Sequence, residues 1–175
     1  MKKLILAFMA IGLFTACKKS NSNSSDSYRM TAMISGTAKT FNVSQVASRV
    51  TVGGINVVGI NGFVSTSTKE GIAISISSKT SGKTIVAGTY SDTTAACVIS
   101  AVYIQDATTQ YIAGNAIALS ADFSGITIQN HFTLKITSID AQSIKGSFSG
   151  DVYPNSDVTK TPKTITLGDF YLKIQ

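Results

Sequence analysis

The 175-residue chain has no tryptophan, one histidine (His131), one glutamate (Glu70) and two cysteines, Cys17 and Cys97. A single histidine excludes centres built on several imidazoles and leaves little for a Ser-His-Asp arrangement, which also needs a positioned nucleophile and an orienting acid. Paired carboxylates for glycoside hydrolysis would have to be found among the aspartates. Of these, Asp106, Asp140 and Asp157 fall in connections, where aspartate is favoured for local hydrogen bonding. Asp122 and Asp151 are the candidates for such a pair, although nothing in their spacing brings them together. The Asp-x-Asp-x-Asp spacing of a calcium loop is absent, so no metal or other cofactor is expected. Charged residues make up only 14% of the chain and are scattered, with no basic stripe interleaved with aromatics, so nucleic acid is not an expected partner.

What is present starts at the first residue. Lys2 and Lys3 precede an apolar run, Leu4–Phe14, which small residues close. This is the layout of a secretory signal and is too short to span a bilayer, which takes roughly 20 apolar residues. Phe14-Thr15-Ala16-Cys17 resembles a lipobox, with Phe14 in place of the usual leucine. The resemblance implies diacylglyceryl transfer to the Cys17 sulfur, cleavage after Ala16, and acylation of the new amine with a fatty acid such as palmitate. Several acyl chains, at about 0.8 kcal/mol per buried CH₂, give stable anchoring where one does not. The lipid membrane is therefore an expected partner, held through Cys17. Residues 18–27, KKSNSNSSDS, contain nothing to bury and read as a flexible tether of roughly 16–19 Å r.m.s. span.

Residues 28–175 suffice for one domain. Removing Lys2 and Lys3 from the 15 basic residues leaves 13 against 9 acidic ones, a net charge of about +4. With Cys17 carrying lipid, Cys97 has no partner for a disulfide. Its neighbours Ala95, Ala96, Val98 and Ile99 mark it as a buried small hydrophobe.

Helical periodicity is missing from the body of the chain, and short alternating runs broken by Gly, Asn and Ser take its place. Tyr28, Met30, Ala32 and Ile34 share a face ahead of a turn at Ser35-Gly36-Thr37. Asn42–Ser48 is ambiguous between strand and a single helical turn. Gly53-Gly54 is a hairpin dipeptide. Gly59 and Gly62 are expected bulges in the strand Ile55–Ser65, and Thr84–Ala87 reads as a short strand. Ile72, Ile74 and Ile76 form a half-buried strand, and Asp106–Thr109 joins Val98–Gln105 to Gln110–Gly114. Phe132, Leu134 and Ile136 face one way. On the next strand Ile144, Phe148 and Val152 point inward and Lys145, Ser147, Ser149 and Asp151 outward. Ile165 and Leu167 are odd while Phe170, Leu172 and Ile174 are even, which requires a β-bulge at Gly168-Asp169. The expected class is all-β: an antiparallel β-sandwich or flattened barrel of about nine to ten strands.

Ile34-Ser35-Gly36, Gly88-Thr89-Tyr90, Lys145-Gly146-Ser147-Phe148-Ser149-Gly150 and Ile165-Thr166-Leu167-Gly168-Asp169-Phe170 occur in that order. This order resembles an uncharacterised family of Bacteroidetes lipoproteins across essentially all of residues 28–175. The resemblance implies an outer-membrane lipoprotein and carries over no catalytic residues. Lys18-Lys19 lacks the acidic residues of a surface-export signal in such lipoproteins, which favours the periplasmic leaflet over the cell surface.

Candidate chemistry is sparse. Gly146–Gly150 places Phe148 where a nucleophile elbow needs serine, and Gly82-Lys83-Thr84 lacks the first glycine of a P-loop. Asp92-Thr93-Thr94 resembles the short O-glycosylation motif of exported Bacteroidetes proteins, implying a sugar on Thr93. A turn preceding a strand is the preferred reading. Tyr90, Tyr103, Tyr111, Tyr153 and Tyr171 are candidates for a sugar-stacking platform, set against ordinary strand packing. The expected activity is a non-catalytic, membrane-tethered β module that binds or scaffolds a glycan or an envelope protein. An envelope hydrolase using Asp122 or Asp151 and a purely structural component are the alternatives.

Overall fold

The computed structural model describes residues 27–67, 69–118, 127–155 and 161–175. The signal segment, Cys17, the tether through Asp26, Asp122 and Asp157 lie outside the described residues. Among the described residues there are eleven strands: β1 (Arg29–Ile34), β2 (Thr37–Thr40), β3 (Val43–Val52), β4 (Ile55–Phe63), β5 (Gly71–Ser78), β6 (Gly88–Ser91), β7 (Cys97–Ile104), β8 (Gln110–Gly114), β9 (Thr133–Ile139), β10 (Ser143–Pro154) and β11 (Lys163–Lys173). One helical turn, α1 (Asn115–Ala118), follows β8.

Among the described residues every strand ladder is antiparallel. Nine strands run in the order β2-β1-β11-β10-β8-β7-β5-β4-β3 and curl into a half-barrel, so the fold is all-β as expected. The remaining two, β9 and β6, branch from β10. Two hairpins use paired left-handed residues, Ser35-Gly36 and Gly53-Gly54, whose backbone twist matches that of the flanking strands. At the seam, the end of β11 meets the middle of β3 through a parallel bridge between Ile174 and Ala47.

Alternation places one continuous core inside this curl. Met30, Ile34, Ile60, Ile74, Ile76, Ile99, Leu134, Ile144 and Leu172 are all buried there. Phe132, Phe148 and Phe170 line up through its centre with ring centroids 6.4 and 6.3 Å apart. Truncating such a ring to alanine typically costs about 3–5 kcal/mol. Cys97 belongs to the same core, and burial pushes its thiol pKa up.

Strand β10 sets the architecture. Ile144–Ser149 pairs with β9, whereas Tyr153 and Pro154 pair with β8. Between them Gly150 sits at φ 136°, and a Cβ there would come within 2.5 Å of Phe132 Cα and 2.8 Å of the His131 carbonyl oxygen. Only glycine allows the strand to leave one partner and join the other at this point. Past it the alternation ends: Asp151, expected outside, is only 4% exposed, and Val152 and Tyr153 are buried with it. On the outer side of this end of the sheet Tyr153 joins a second, smaller apolar cluster with Ile112 of β8 and Ile117 of α1, and Asp151 is engaged by Asn130 and Thr164.

Several local expectations are corrected. Asn42–Ser48 contributes to β3 rather than to a helical turn, with the register shift between Val43 and Val46 and Ser44 at φ 48°. The pairing of β4 with β5 is unbroken at Gly59 and Gly62, and the irregularity opposite Gly62 lies in β3. Instead, a Cβ at Gly62 would meet Phe41 at 3.0 Å, so close packing explains that glycine. Thr84–Ala87 is not a strand, and the strand in this region, β6, begins at Gly88. The β11 bulge exists, but its extra residue is Leu167, at φ 51° and 76% exposed, rather than Gly168-Asp169.

Candidate binding groove

Period 2 gives the outer face of β1, β11, β10 and β9 two transverse rows of side chains. Arg29 lies opposite Tyr171, which lies opposite Lys145. In the next row Thr31, Asp169, Ser147, Lys135 and Thr89 succeed one another across five strands. The rows border an open depression of about 350 Å3 lined by Arg29, Lys135, Thr137, Lys145, Ser147 and Asp169.

Arg29 grips one Asp169 oxygen from two nitrogens, at 3.0 and 3.1 Å. The Lys145 ammonium sits 4.1 Å from the Tyr171 ring centroid, within cation–π range. On the β1 side of the same ring, Tyr28 packs with its centroid 4.9 Å away. Tyr28 thus leaves the inner face it was grouped with and joins the outer surface. Lys135 makes no ion pair among the described residues. The lining therefore holds three cations and one carboxylate, and that carboxylate is already neutralised by Arg29.

The tyrosines do not form one platform. Tyr103 and Tyr153 are buried, and the Tyr90 hydroxyl donates to the Val86 carbonyl at 2.7 Å. Tyr111 packs its ring 5.9 Å from Tyr103, and Tyr171 alone of the five borders the depression. The signal for the groove was nonetheless present: Lys135 and Lys145 both carry outward parity. Placing them side by side requires the β9–β10 register, which shifts between Lys145 and Gly146 and is not visible in either strand alone.

Other polar groups serve the frame. The Tyr103 hydroxyl donates to Glu70 Oε1 at 2.6 Å, and Lys39 Nζ lies 3.0 Å from the same oxygen. Burial, reinforced by the Glu70 carboxylate, pushes the Tyr103 pKa well up. Asp151 accepts from Asn130 Nδ2 at 3.0 Å and from the Thr164 hydroxyl at 2.8 Å, engaging both carboxylate oxygens. Asp140 and Asp106 cap their hairpins as expected. Amides of Gln142 and Ser143 hold the Asp140 carboxyl below its usual range, and those of Thr108 and Thr109 do the same for Asp106.

His131 is exposed at a strand start, with Nδ1 2.8 Å from Asp92 Oδ1. Thr93 is exposed in a turn where the Ser91 amide donates to Thr94 Oγ1 at 2.9 Å. Among the described residues no three His, Cys, Asp or Glu side chains gather to hold a metal, and no helix is long and apolar enough to cross a membrane. Comparisons with protein-family models, curated proteins and solved structures found no match to this chain.

Proposed function

We propose that this chain is a lipid-anchored protein of the bacterial envelope whose β domain is a non-catalytic module for binding or scaffolding, with a glycan as its ligand class. The observation that carries the reading is the groove. A solvated sheet face needs only scattered polar residues, yet this one gathers cations, hydroxyls, a carboxylate and a ring in a single depression. Convergent polar groups in a concavity are the ordinary make-up of a ligand site. Anchoring rests on Phe14-Thr15-Ala16-Cys17, and the chain reaches the domain at Tyr28–Arg29, on the border of that depression. The outer membrane, with the domain on its periplasmic side, is the proposed address, in keeping with the lipoprotein family that the chain resembles. A paired-aspartate hydrolase is less well supported, because both oxygens of Asp151 are occupied in bracing the frame.

Metabolic labelling with a fatty acid tests the anchor: wild type is labelled and Cys17→Ser is not, and persistent label on the variant would refute the assignment. Binding is tested by passing the purified full chain over immobilised envelope glycans. Failure to retain any of them would remove the glycan reading. Protease treatment of intact cells tests the leaflet, since loss of the domain would place it at the cell surface.

A further inference from the structure

We propose that the open edge of β3 takes an extended acidic peptide of a partner protein as a further strand of the sheet. The inference stands apart from the glycan reading, since this site shares no lining residue with the outer-face depression. β3 ends the strand order, so β4 pairs only one of its edges. Along an antiparallel pair the main-chain groups of successive residues point to alternate edges. Ala47 uses its outward groups at the seam, where its carbonyl accepts from the Gln175 amide at 3.0 Å beside the bridge to Ile174. Arg49 and Thr51 have the same parity, so their amides and carbonyls also face outward. Among the described residues no hydrogen bond meets these groups. Proteins ordinarily blunt such an edge by shortness, proline or a bulge. At the other end of the order β2 has only four residues, and its Lys39 is tied to Glu70. β3 has ten residues and no proline, and its irregularity lies between Val43 and Val46, away from the open stretch.

The edge also sets the pattern of its partner. Side chains directly opposite one another in a ladder share a face. Arg49 and Thr51 share one face and border a depression of about 340 Å3 whose lining includes Thr84 and Ile85. Val50 and Val52 share the other and are 37% and 61% exposed. A strand laid here places one row of side chains beside Arg49 and the alternate row beside the valines. Arg49 makes no ion pair among the described residues. Lys83, whose carbonyl accepts from Asn56 Nδ2 at 3.0 Å, adds a second cation beside the depression. The Asp140 carboxylate feels Arg49, but the Gln142 and Ser143 amides hold it in its own hairpin. Carboxylates opposite Arg49, alternating with apolar residues opposite Val50, therefore match both faces. A second copy of the chain matches them less well. Antiparallel pairing of two open edges, Arg49 opposite Thr51, makes the two arginines diagonal neighbours about 7–8 Å apart.

The test titrates the full chain carrying Cys17→Ser with a labelled, blocked hexapeptide that alternates glutamate and valine, followed by fluorescence anisotropy. The peptide should bind, less tightly as salt rises, and its lysine–valine counterpart should not. N-methylation at the glutamates or at the valines removes one alternate set of peptide amides. Whichever set faces β3, its loss should weaken binding at least about tenfold. Thr51→Pro removes an outward amide without costing a bond to β4, and should also weaken binding about tenfold. Thr51→Ala keeps that amide and should bind as before. Should Thr51→Pro lose its fold, the methylated peptides decide alone. Full binding by both methylated peptides, or by a folded Thr51→Pro, would overturn strand addition at this edge. Equal binding of the lysine peptide would overturn the acidic partner. Concentration-dependent dimers of the chain that Thr51→Pro abolishes would give the edge to a second copy and overturn the proposal, as would no binding of either peptide.

Discussion

The two halves of β10 share a backbone and part company at Gly150. From Ser143 to Ser149 burial alternates, and the outward residues Lys145 and Ser147 border the groove. From Gly150 to Pro154 every residue is buried. Sequence alone does not distinguish them, since Lys145 and Asp151 have the same parity and both are charged. The difference lies in what meets each half: in the second, Tyr153 packs with Ile112 and Ile117 and Asp151 is engaged by Asn130 and Thr164, and the first stays open on its outer side. A charged residue on a strand is therefore a candidate for binding or for bracing according to what meets it.

Gly150→Ala strikes at the division itself. A Cβ meeting Phe132 Cα at 2.5 Å, on a backbone at φ 136°, should cost about 3 kcal/mol or more in urea unfolding. A loss below about 1 kcal/mol would mean that the strand passes between its partners without a special residue. Asp151→Ala comes next, at about 2–3 kcal/mol, since it leaves Asn130 and Thr164 without their acceptor. An unchanged unfolding midpoint would deny that this half of the strand is braced.

Tyr103→Phe should cost about 1 kcal/mol at neutral pH by removing the donor to Glu70. The raised pKa of Tyr103 also gives its contribution a pH signature. Its stabilisation is full below the ordinary tyrosine value of about 10 and is lost as pH climbs from there towards the raised folded-state value. The variant should flatten that alkaline decline, and a decline of unchanged steepness would assign it to other groups. The smallest effect belongs to the open half. Lys135→Gln should alter stability by no more than about 0.5 kcal/mol. A larger loss would mean that the groove's side chains hold the sheet together rather than await a ligand.

Most of the fold was legible from alternation. Ile72, Ile74 and Ile76, the Gly53-Gly54 hairpin, and the need for a bulge late in β11 follow from period 2 and turn chemistry alone. Alternation failed where contacts from beyond the strand intervened. Asp151 has outward parity and is buried with Asn130 and Thr164 on its carboxylate, contacts that no pattern within β10 announces. Tyr28 failed for the opposite reason: it lies just before β1, free of the pleat, and its ring turns out towards Tyr171. The groove was half legible, with the outward lysines apparent and their adjacency hidden in a hairpin register. Glu70 stood out only as the single glutamate, and its contacts with Lys39 and Tyr103 depend on chain segments roughly thirty residues away on either side.

Pairing β1 with β11 carries a consequence for the order in which the molecule assembles. Arg29 and Asp169 meet across 140 residues of chain. Until β11 is made, β1 has only the short β2 beside it, so the sheet closes last where the chain begins. Non-local pairing of this kind is slow, because loop entropy is lost before the contacts repay it. A nascent chain of this topology stays unclosed for as long as synthesis lasts.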